Sequence, residues 1–231
     1  MSLVELIARA DGRGLAAGAL ACLDRCVPLL GGDDEVLRPL WAVLADSGEA
    51  EGAGGPGEPG EADRDWGGCV EQVRAKLYLS ATAEGGASAE GGASAEGGAS
   101  AEGGASAEGG AVALAHRMLG AAPVERNAAG LREWADTCSV AALRIHRLLD
   151  GSAAAADTAE TTDTASAAVS WREGVTEDMS PLVAAELRRQ ITVLELLAAH
   201  GPAGLRQARE LTTEGRRVLR AVVSRRARGR A

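Results

Sequence analysis

The hydrophobic positions of this 231-residue chain recur at intervals of three and four residues in most segments, and they almost never alternate with polar positions. Such spacing is typical of amphipathic α-helices, whereas half-buried strands show a period of two. The pattern predicts helices at residues 2–10, 15–30, 33–44, 66–77, 112–119, 124–149, 180–201 and from 202 to near the C-terminus. We therefore expect an all-α fold, a single-core helical bundle of about seven or eight helices.

Local signals mark the starts of two of these helices. Asp33 and Asp34 predict the start of the third helix, in which Pro39 marks a kink or a restart. Ser180 followed by Pro181 is a strong start signal, because serine caps the first turn and proline lacks an N–H that the first turn leaves unused.

The sixth segment carries the clearest apolar stripe, and we expect it to be the central helix of the bundle. Trp134 is the largest side chain of this stripe, so its replacement by alanine should be among the most destabilising substitutions. Trp41 and Trp66 lie close to a proline and to a polar insert, and they are expected to matter less. The stripe consists of Leu131, Trp134, Cys138, Ala142, Ile145 and Leu149.

Three segments lack apolar periodicity and are predicted to be low-complexity inserts in the connections of one helical domain, residues 1–231. They lie at about residues 46–64, 83–111 and 151–168. The middle one repeats the hexad AEGGAS, which is too short and too polar to stack as a folded repeat. We expect it to behave as a Gly/Ser-rich linker.

The charge of the chain is unevenly distributed. The net charge is −9, but the acidic residues concentrate in the predicted inserts, while the last 31 residues hold nine arginines against Glu210 and Glu214. The excess of Ala, Gly and Arg indicates a GC-rich, bacterial genome. The N-terminus lacks a secretory pattern and no apolar run reaches about 20 residues, so we expect a cytoplasmic protein with reduced cysteines and no membrane partner.

The last predicted helix has one apolar side and one arginine-rich side. A row of arginines can contact phosphates or an acidic partner. The simplest interpretation of the arginine-rich side is that it faces solvent and binds nothing. A further alternative is that the acidic inserts of the chain itself fold over this side. We predict that reversing the charge of Arg217 and Arg220 leaves the fold intact. The arginine-rich side comprises Arg206, Arg209, Arg216, Arg217, Arg220 and Arg228. The candidate residues for binding a polyanion or a partner are Arg206, Arg209, Arg217, Arg220 and Arg228.

Cysteine and histidine give little support to metal binding or catalysis. Cys22 and Cys26 share a helical face and could bind a metal only with ligands from elsewhere, so we expect them, and Cys138, to be small buried side chains. His146 is expected to lie at the surface or half-buried. We predict no metal and no cofactor.

The acidic side chains and the motifs of the chain also give little support to catalysis. Glu186 and Glu195 are expected to face outward. Glu133 and Asp136 are spaced for a carboxylate pair, although a solvent face next to Arg132 explains them equally well. The chain has a single lysine and no GxSxG motif, which excludes a Walker-type phosphate loop and a nucleophile elbow.

These observations favour a non-enzymatic helical interaction or regulatory module with a protein partner. The alternative is a nucleic-acid-associated protein that binds the phosphate backbone through its Arg-rich C-terminal helix. The short turn between the last two predicted helices also fits a helix-turn-helix, but the arginines extend along the whole second helix, which suits backbone contact more than base reading.

Overall fold

The computed structural model describes residues 1–46, 61–86, 107–150, 161–177 and 179–228. Among these residues the chain is all-α, as the sequence predicts, and contains no strand. Short 3₁₀ turns at Val27–Leu30 and Gly201–Ala203 follow two of the helices. The helices are α1 (Leu3–Arg9), α2 (Gly12–Cys26), α3 (Arg38–Asp46), α4 (Glu61–Gly86), α5 (Ala107–Gly120), α6 (Ala128–Leu149), α7 (Thr161–Glu173), α8 (Pro181–His200) and α9 (Gly204–Arg228).

Side-chain caps fix the starts of several helices. The Ser180 hydroxyl accepts a hydrogen bond from the Val183 backbone N–H at 3.3 Å, and Pro181 occupies the first helical position of α8, as predicted. The Asn127 side chain accepts from the Gly130 N–H at 2.8 Å, so α6 begins at Ala128 and not at residue 124. Each cap satisfies a backbone N–H that has no partner inside the helix.

Among the described helices, α2 has the largest buried share of its residues, and it packs against α6, α8 and α9. Twelve of its 15 residues are buried, including alanines on several faces. The predicted central position of the sixth segment agrees with the packing, because α6 contacts α1, α2, α5, α7, α8 and α9 and shares the centre of the bundle with α2. Because apolar residues lie on several of its faces, α2 shows no narrow stripe, as expected for a helix in the interior.

Trp134 anchors α6 as predicted, and it does so together with a second tryptophan. Both Trp66 of α4 and Trp134 are fully buried, and their rings meet edge to face with centroids 5.9 Å apart. The Trp134 Nε1 donates to the Met118 carbonyl at 3.0 Å, and the Trp66 Nε1 donates to the Pro123 carbonyl at 2.8 Å. Proximity to a polar insert is thus a poor guide to the burial of Trp66.

The third helix begins later than the sequence suggests. Residues 34–37 form turns, and α3 starts at Arg38 with Pro39 in its first turn. Proline is well tolerated there because its missing N–H would have no helical acceptor. Of the two predicted roles for Pro39, the restart is the one observed, and Asp33 and Asp34 precede the helix.

The helix α7 lies partly inside the insert that we predicted at residues 151–168. Its Ala168 and Trp171 are buried, and Arg172 pairs with Asp136 of α6. Its Ala-, Thr- and Ser-rich sequence has only Val169 and Trp171 as large apolar residues, which are too few to form a recognisable stripe. Helices also enter the other two predicted inserts at residues 61–64, 83–86 and 107–111. The remainder, at residues 47–60, 87–106 and 151–160, lies outside the described residues.

Candidate interaction surface

The helix α9 lies on the bundle through an apolar side. Leu205, Ala208 and Leu219 are buried along this side, and α9 packs against α2 and α8. Gly215 is placed directly over Arg25 of α2, where a Cβ atom would come within 2.3 Å of the Arg25 Cδ. A glycine at this position lets the two backbones approach over a buried arginine.

The arginine-rich side of α9 divides into two rows. Arg209, Arg216 and Arg220, which we call the inner row, point toward α2 and the connection to α3. They lie within about 40° of one another at 100° per residue. Arg206, Arg217 and Arg228 form the outer row, also within about 40°, and face solvent. Sequence reasoning grouped all six on one exposed side.

The inner row is paired with acids of the chain itself. Arg216 Nη1 donates to Asp24 Oδ1 at 2.5 Å and to the Asp34 backbone carbonyl at 3.0 Å. Arg220 donates to the Asp34 carboxylate. Arg209 lies 3.9 Å from Glu35. Arg216 is only 6% exposed, so the sequence interpretation that placed it on the solvent-facing side was wrong.

These ion pairs shift the pKa values of the groups involved. The hydrogen bond from Arg220 holds the pKa of Asp34 below its usual value and raises that of Arg220. Burial raises the pKa of Asp24, while Arg216 and the Trp41 indole, whose Nε1 donates to Asp24 at 2.9 Å, act in the opposite direction. Arg216 and Arg220 of the inner row therefore fasten α9 to α2 and to the connection before α3, whereas Arg209 approaches Glu35 only at 3.9 Å.

This pairing changes what the arginines offer to a partner. Arg220 belongs to the internal contact with Asp34, so an acidic residue introduced at position 220 would face a carboxylate. That reversing Arg217 and Arg220 spares the fold stays a prediction; we now expect it for Arg217, which is 72% exposed in its side chain, and not for Arg220.

The outer row alternates with acidic side chains. Arg206 Nε contacts Glu210 at 3.2 Å, and Arg217 Nη1 contacts Glu214 at 3.5 Å. Both pairs are exposed and link neighbours on the same helix, so they contribute little to stability. Arg228 is exposed at the end of α9. The surface is a line of mixed charge and not a uniformly basic stripe.

A groove of about 710 Å³ lies between α3 and α9. Trp41 and Leu205 line it as nearly buried apolar side chains, and small exposed residues such as Ala42 and Pro202 form part of its walls. Its charged lining comprises Asp34, Glu35, Arg38, Arg206, Arg209, Glu210 and Arg216. Sequence reasoning missed Arg38, Glu35 and Trp41, because only the fold brings α3 alongside α9.

A second polar cluster is buried in the centre of the bundle. Arg25 of α2 donates to both carboxylate oxygens of Glu186 of α8, at 2.9 and 2.5 Å. Gln190 donates to Glu186 Oε1 at 2.9 Å, and Ser139 of α6 donates to Gln190 at 2.7 Å. Glu186 is completely buried, which corrects the expectation that it faces outward. Its spacing from Val183 and Gln190 on one helix face was the available signal.

His146 also belongs to this cluster, although we expected it at the surface or half-buried. It is fully buried, its Nδ1 lies 2.8 Å from the Ala142 carbonyl, and its Nε2 lies 3.7 Å from Glu186 Oε2. A carbonyl only accepts, so Nδ1 carries the proton. Burial lowers the pKa of His146, against the attraction of Glu186.

The charge on Glu186 is stabilised by its neighbours. Burial acts to raise its pKa, but Arg25 and His146 outweigh that effect, and the pKa lies below its usual value. Arg25 Nε and Nη2 hold both carboxylate oxygens of Glu186, and Gln190 donates to the same carboxylate, so the cluster ties α2 to α8. Arg25 Nη1 and His146 Nε2 are buried without a hydrogen-bond partner among the described residues.

The cysteines behave as the sequence predicts. Cys22, Cys26 and Cys138 are buried free thiols. Burial raises the pKa of Cys22 to about 12 and raises the other two well above their usual values, so thiolate chemistry is disfavoured. In the part of the chain that the structure describes, no group of three or more His, Cys, Asp or Glu side chains is arranged to hold a metal ion.

Asp136 does not pair with Glu133. It contacts Arg172 of α7, so one of the two candidate carboxylates serves to join α6 and α7. None of the described helices has both the length and the apolar character needed to cross a bilayer. Comparison of the chain with protein-family models, with curated proteins and with solved structures finds no match.

Proposed function

We propose that this protein is a non-enzymatic helical interaction or regulatory module that binds a protein partner through the exposed side of α9. The observation that supports the proposal is that the arginines of this helix have two separate roles. Arg216 and Arg220 hold α9 on the bundle, and the outer row, Arg206, Arg217 and Arg228, is left facing solvent. A rigidly held helix with a charged outer row suits recognition of a complementary surface.

The sign pattern of the outer row favours a protein over a nucleic acid. Arg206 and Arg217 are 11 residues apart, or about 16 Å along the helix, and Glu210 and Glu214 lie between them. A nucleic-acid backbone is a continuous line of negative charge, which those two carboxylates would repel. A protein surface can instead place acidic and basic groups to match both signs.

Nucleic-acid binding is the second proposal, and it is supported by the arginines at the C-terminal end of α9. Arg225, Arg226 and Arg228 follow in the last turns of α9, after the last acid of this helix at Glu214. Phosphate contact by this cluster would weaken steeply with salt. The proposal also includes action in the cytoplasm, which four free cysteines favour.

The test reverses the outer row and compares it with an equal charge change elsewhere. The variant is Arg206→Glu/Arg217→Glu, and the control is Arg117→Glu/Arg188→Glu, two exposed arginines on α5 and α8. All three proteins are used for affinity capture from the native host and titrated with duplex DNA and RNA at low and physiological salt. We expect the outer-row variant, and not the control, to lose its protein partners while its melting temperature stays unchanged.

Equal capture by variant and control would overturn the proposed surface. Binding of duplex DNA or RNA by the wild type that falls steeply with salt, together with capture of the same proteins by the outer-row variant and the control, would replace the protein partner by the nucleic-acid alternative.

A further inference from the structure

Glu35 occupies the space between two arginines that belong to opposite walls of the groove between α3 and α9. Its Oε2 atom lies 3.6 Å from Arg38 Nη1 on the α3 side and 3.9 Å from Arg209 Nη2 on the α9 side. Both distances exceed those of charge-assisted hydrogen bonds, which are about 2.7–2.9 Å. The Glu35 and Arg38 side chains are 62% and 70% exposed, and Arg209 is 45% exposed.

A carboxylate held this loosely by exposed arginines is easily displaced. Exposed ion pairs contribute little, and a guanidinium has five N–H donors, of which these contacts use few. The acids of the groove are differently placed. Asp34 is engaged by Arg216 and Arg220, and Glu210 by Arg206. The spare binding capacity of the groove is therefore for an anion.

The apolar lining of the groove indicates that an occupant also carries an apolar side chain. Trp41 and Leu205 are 5% and 6% exposed, and the orientation of the Trp41 indole is fixed by its hydrogen bond to Asp24. The volume of about 710 Å³ lies within the range of about 300–1,000 Å³ typical of ligand sites. An occupant would combine an apolar side chain with a carboxylate at the rim.

We propose that this groove binds an acidic peptide segment of a partner protein, and that a carboxylate of the peptide takes the place of Glu35 between Arg38 and Arg209. An apolar side chain of the same segment covers Trp41 and Leu205. Glu35 acts as an internal competitor that keeps the arginines oriented in the empty groove. This inference rests on the proposed function as an interaction module, but its key arginines, Arg38 and Arg209, lie outside the outer row.

If Glu35 competes with the peptide, its removal should increase the affinity for the peptide, whereas loss of most groove residues would decrease it. Removing an acid that lines the groove, Glu35→Gln, should tighten binding of an acidic peptide, by about two- to fivefold for the loss of an exposed competing pair. Arg209→Gln should weaken the same binding about tenfold. The matched control is Glu214→Gln, which removes one exposed acid from α9 outside the groove.

The probe is a fluorescein-labelled hexapeptide with two leucines flanked on each side by two glutamates, titrated into the full chain at low salt by fluorescence anisotropy. The Trp41 indole N–H resonance, assigned with Trp41→Phe, reports whether the peptide reaches the groove. Tighter binding by Glu35→Gln, weaker binding by Arg209→Gln, no change in Glu214→Gln and a shifted Trp41 signal would support the proposal.

Several results would overturn it. They are the absence of peptide binding to the wild type, an unchanged or weakened affinity in Glu35→Gln, or an unmoved Trp41 signal at saturation. Tighter binding of a single-stranded RNA than of the peptide, with the same response to Glu35→Gln, would assign the groove to phosphate and also reject the acidic peptide. The proposed function is judged separately, by partner capture with Arg206→Glu/Arg217→Glu, so either idea can fail alone.

Discussion

Trp66 and Trp134 form the aromatic centre of the bundle, and their shared contact leads to a prediction for single residues. Both are fully buried, and each indole N–H has a backbone acceptor. Either tryptophan replaced by alanine should lower the free energy of unfolding by about 3–5 kcal/mol. The double variant should lose less than the sum, because the first change already removes the ring contact.

Urea denaturation of the two single variants and the double variant measures this coupling. Leu79→Ala, at a side chain that is 69% exposed, serves as the control and should change stability by no more than about 0.5 kcal/mol. Strictly additive losses would show that the two rings do not support each other.

Burial of His146 makes stability depend on pH. Its pKa in the folded protein lies below the ordinary value of about 6.5, so the unfolded chain takes up a proton first as the pH falls. Stability is therefore full above about pH 6.5 and declines below it. Glu186, whose folded pKa is also lowered, adds a further loss as the pH falls below its unfolded value of 4.5.

The free energy of unfolding, measured by urea denaturation between pH 7 and pH 5, should fall with pH in the wild type. The slope should be smaller in His146→Leu and unchanged in His200→Gln, which alters an exposed histidine. A wild-type stability that is constant across this range would contradict the assignment of a neutral, buried His146.

The residues that sequence reasoning misplaced share one property: each is a polar side chain whose partner lies far away in the chain. Glu186 pairs with Arg25 and Arg216 with Asp24, across 161 and 192 residues. Periodicity identifies the side of a helix that is apolar, but it carries no information about which charge another helix will supply. The burial of Trp134, Cys22, Cys26 and Cys138 was predictable because burial of apolar groups needs no specific partner.

At the scale of the helix, α9 shows which features an amphipathic pattern can predict and which it cannot. The pattern predicted one apolar side, and this side lies against the bundle, with Leu205, Ala208 and Leu219 buried. It could not divide the arginines into an inner and an outer row, since that division depends on Asp24, Asp34 and Glu35. The candidate site was therefore only half predictable: the outer row lies where expected, whereas the groove depends on the packing of α3.

The two rows predict opposite effects for adjacent arginines of α9. Arg216→Gln would leave the Asp24 carboxylate, whose side chain is 4% exposed, without its cation, and loss of one member of a buried pair costs about 3–5 kcal/mol. Arg217→Gln removes a charge that is 72% exposed and should change stability by less than about 1 kcal/mol. Thermal unfolding of both variants decides the assignment, and similar melting temperatures would contradict it.

At the scale of the whole molecule, the all-α class followed from hydrophobic spacing, whereas the boundaries between helices and inserts did not. The helix α7 has few large apolar residues, and its buried Ala168 and Trp171 find their place against neighbours that are distant in sequence. The final AEGGAV hexad belongs to α5. Helical structure in these polar segments is imposed by tertiary packing, which propensity and pattern do not record.

The repeat provides the last prediction, because α4 ends at Gly86 and α5 begins at Ala107. Deleting residues 95–106, two whole hexads, leaves eight residues between these helices. Each halving of a loop changes its closure entropy by only about 0.6 kcal/mol, so the stability should change by about 1 kcal/mol or less. The melting temperature should then stay within about 5 °C of the wild type.

Deleting residues 101–106 alone provides a graded control with half the change in length. A fall of more than about 5 °C in both variants would mean that the hexads pack against the bundle, whereas a fall in the longer deletion alone would mean that eight residues do not reach between the two helix ends.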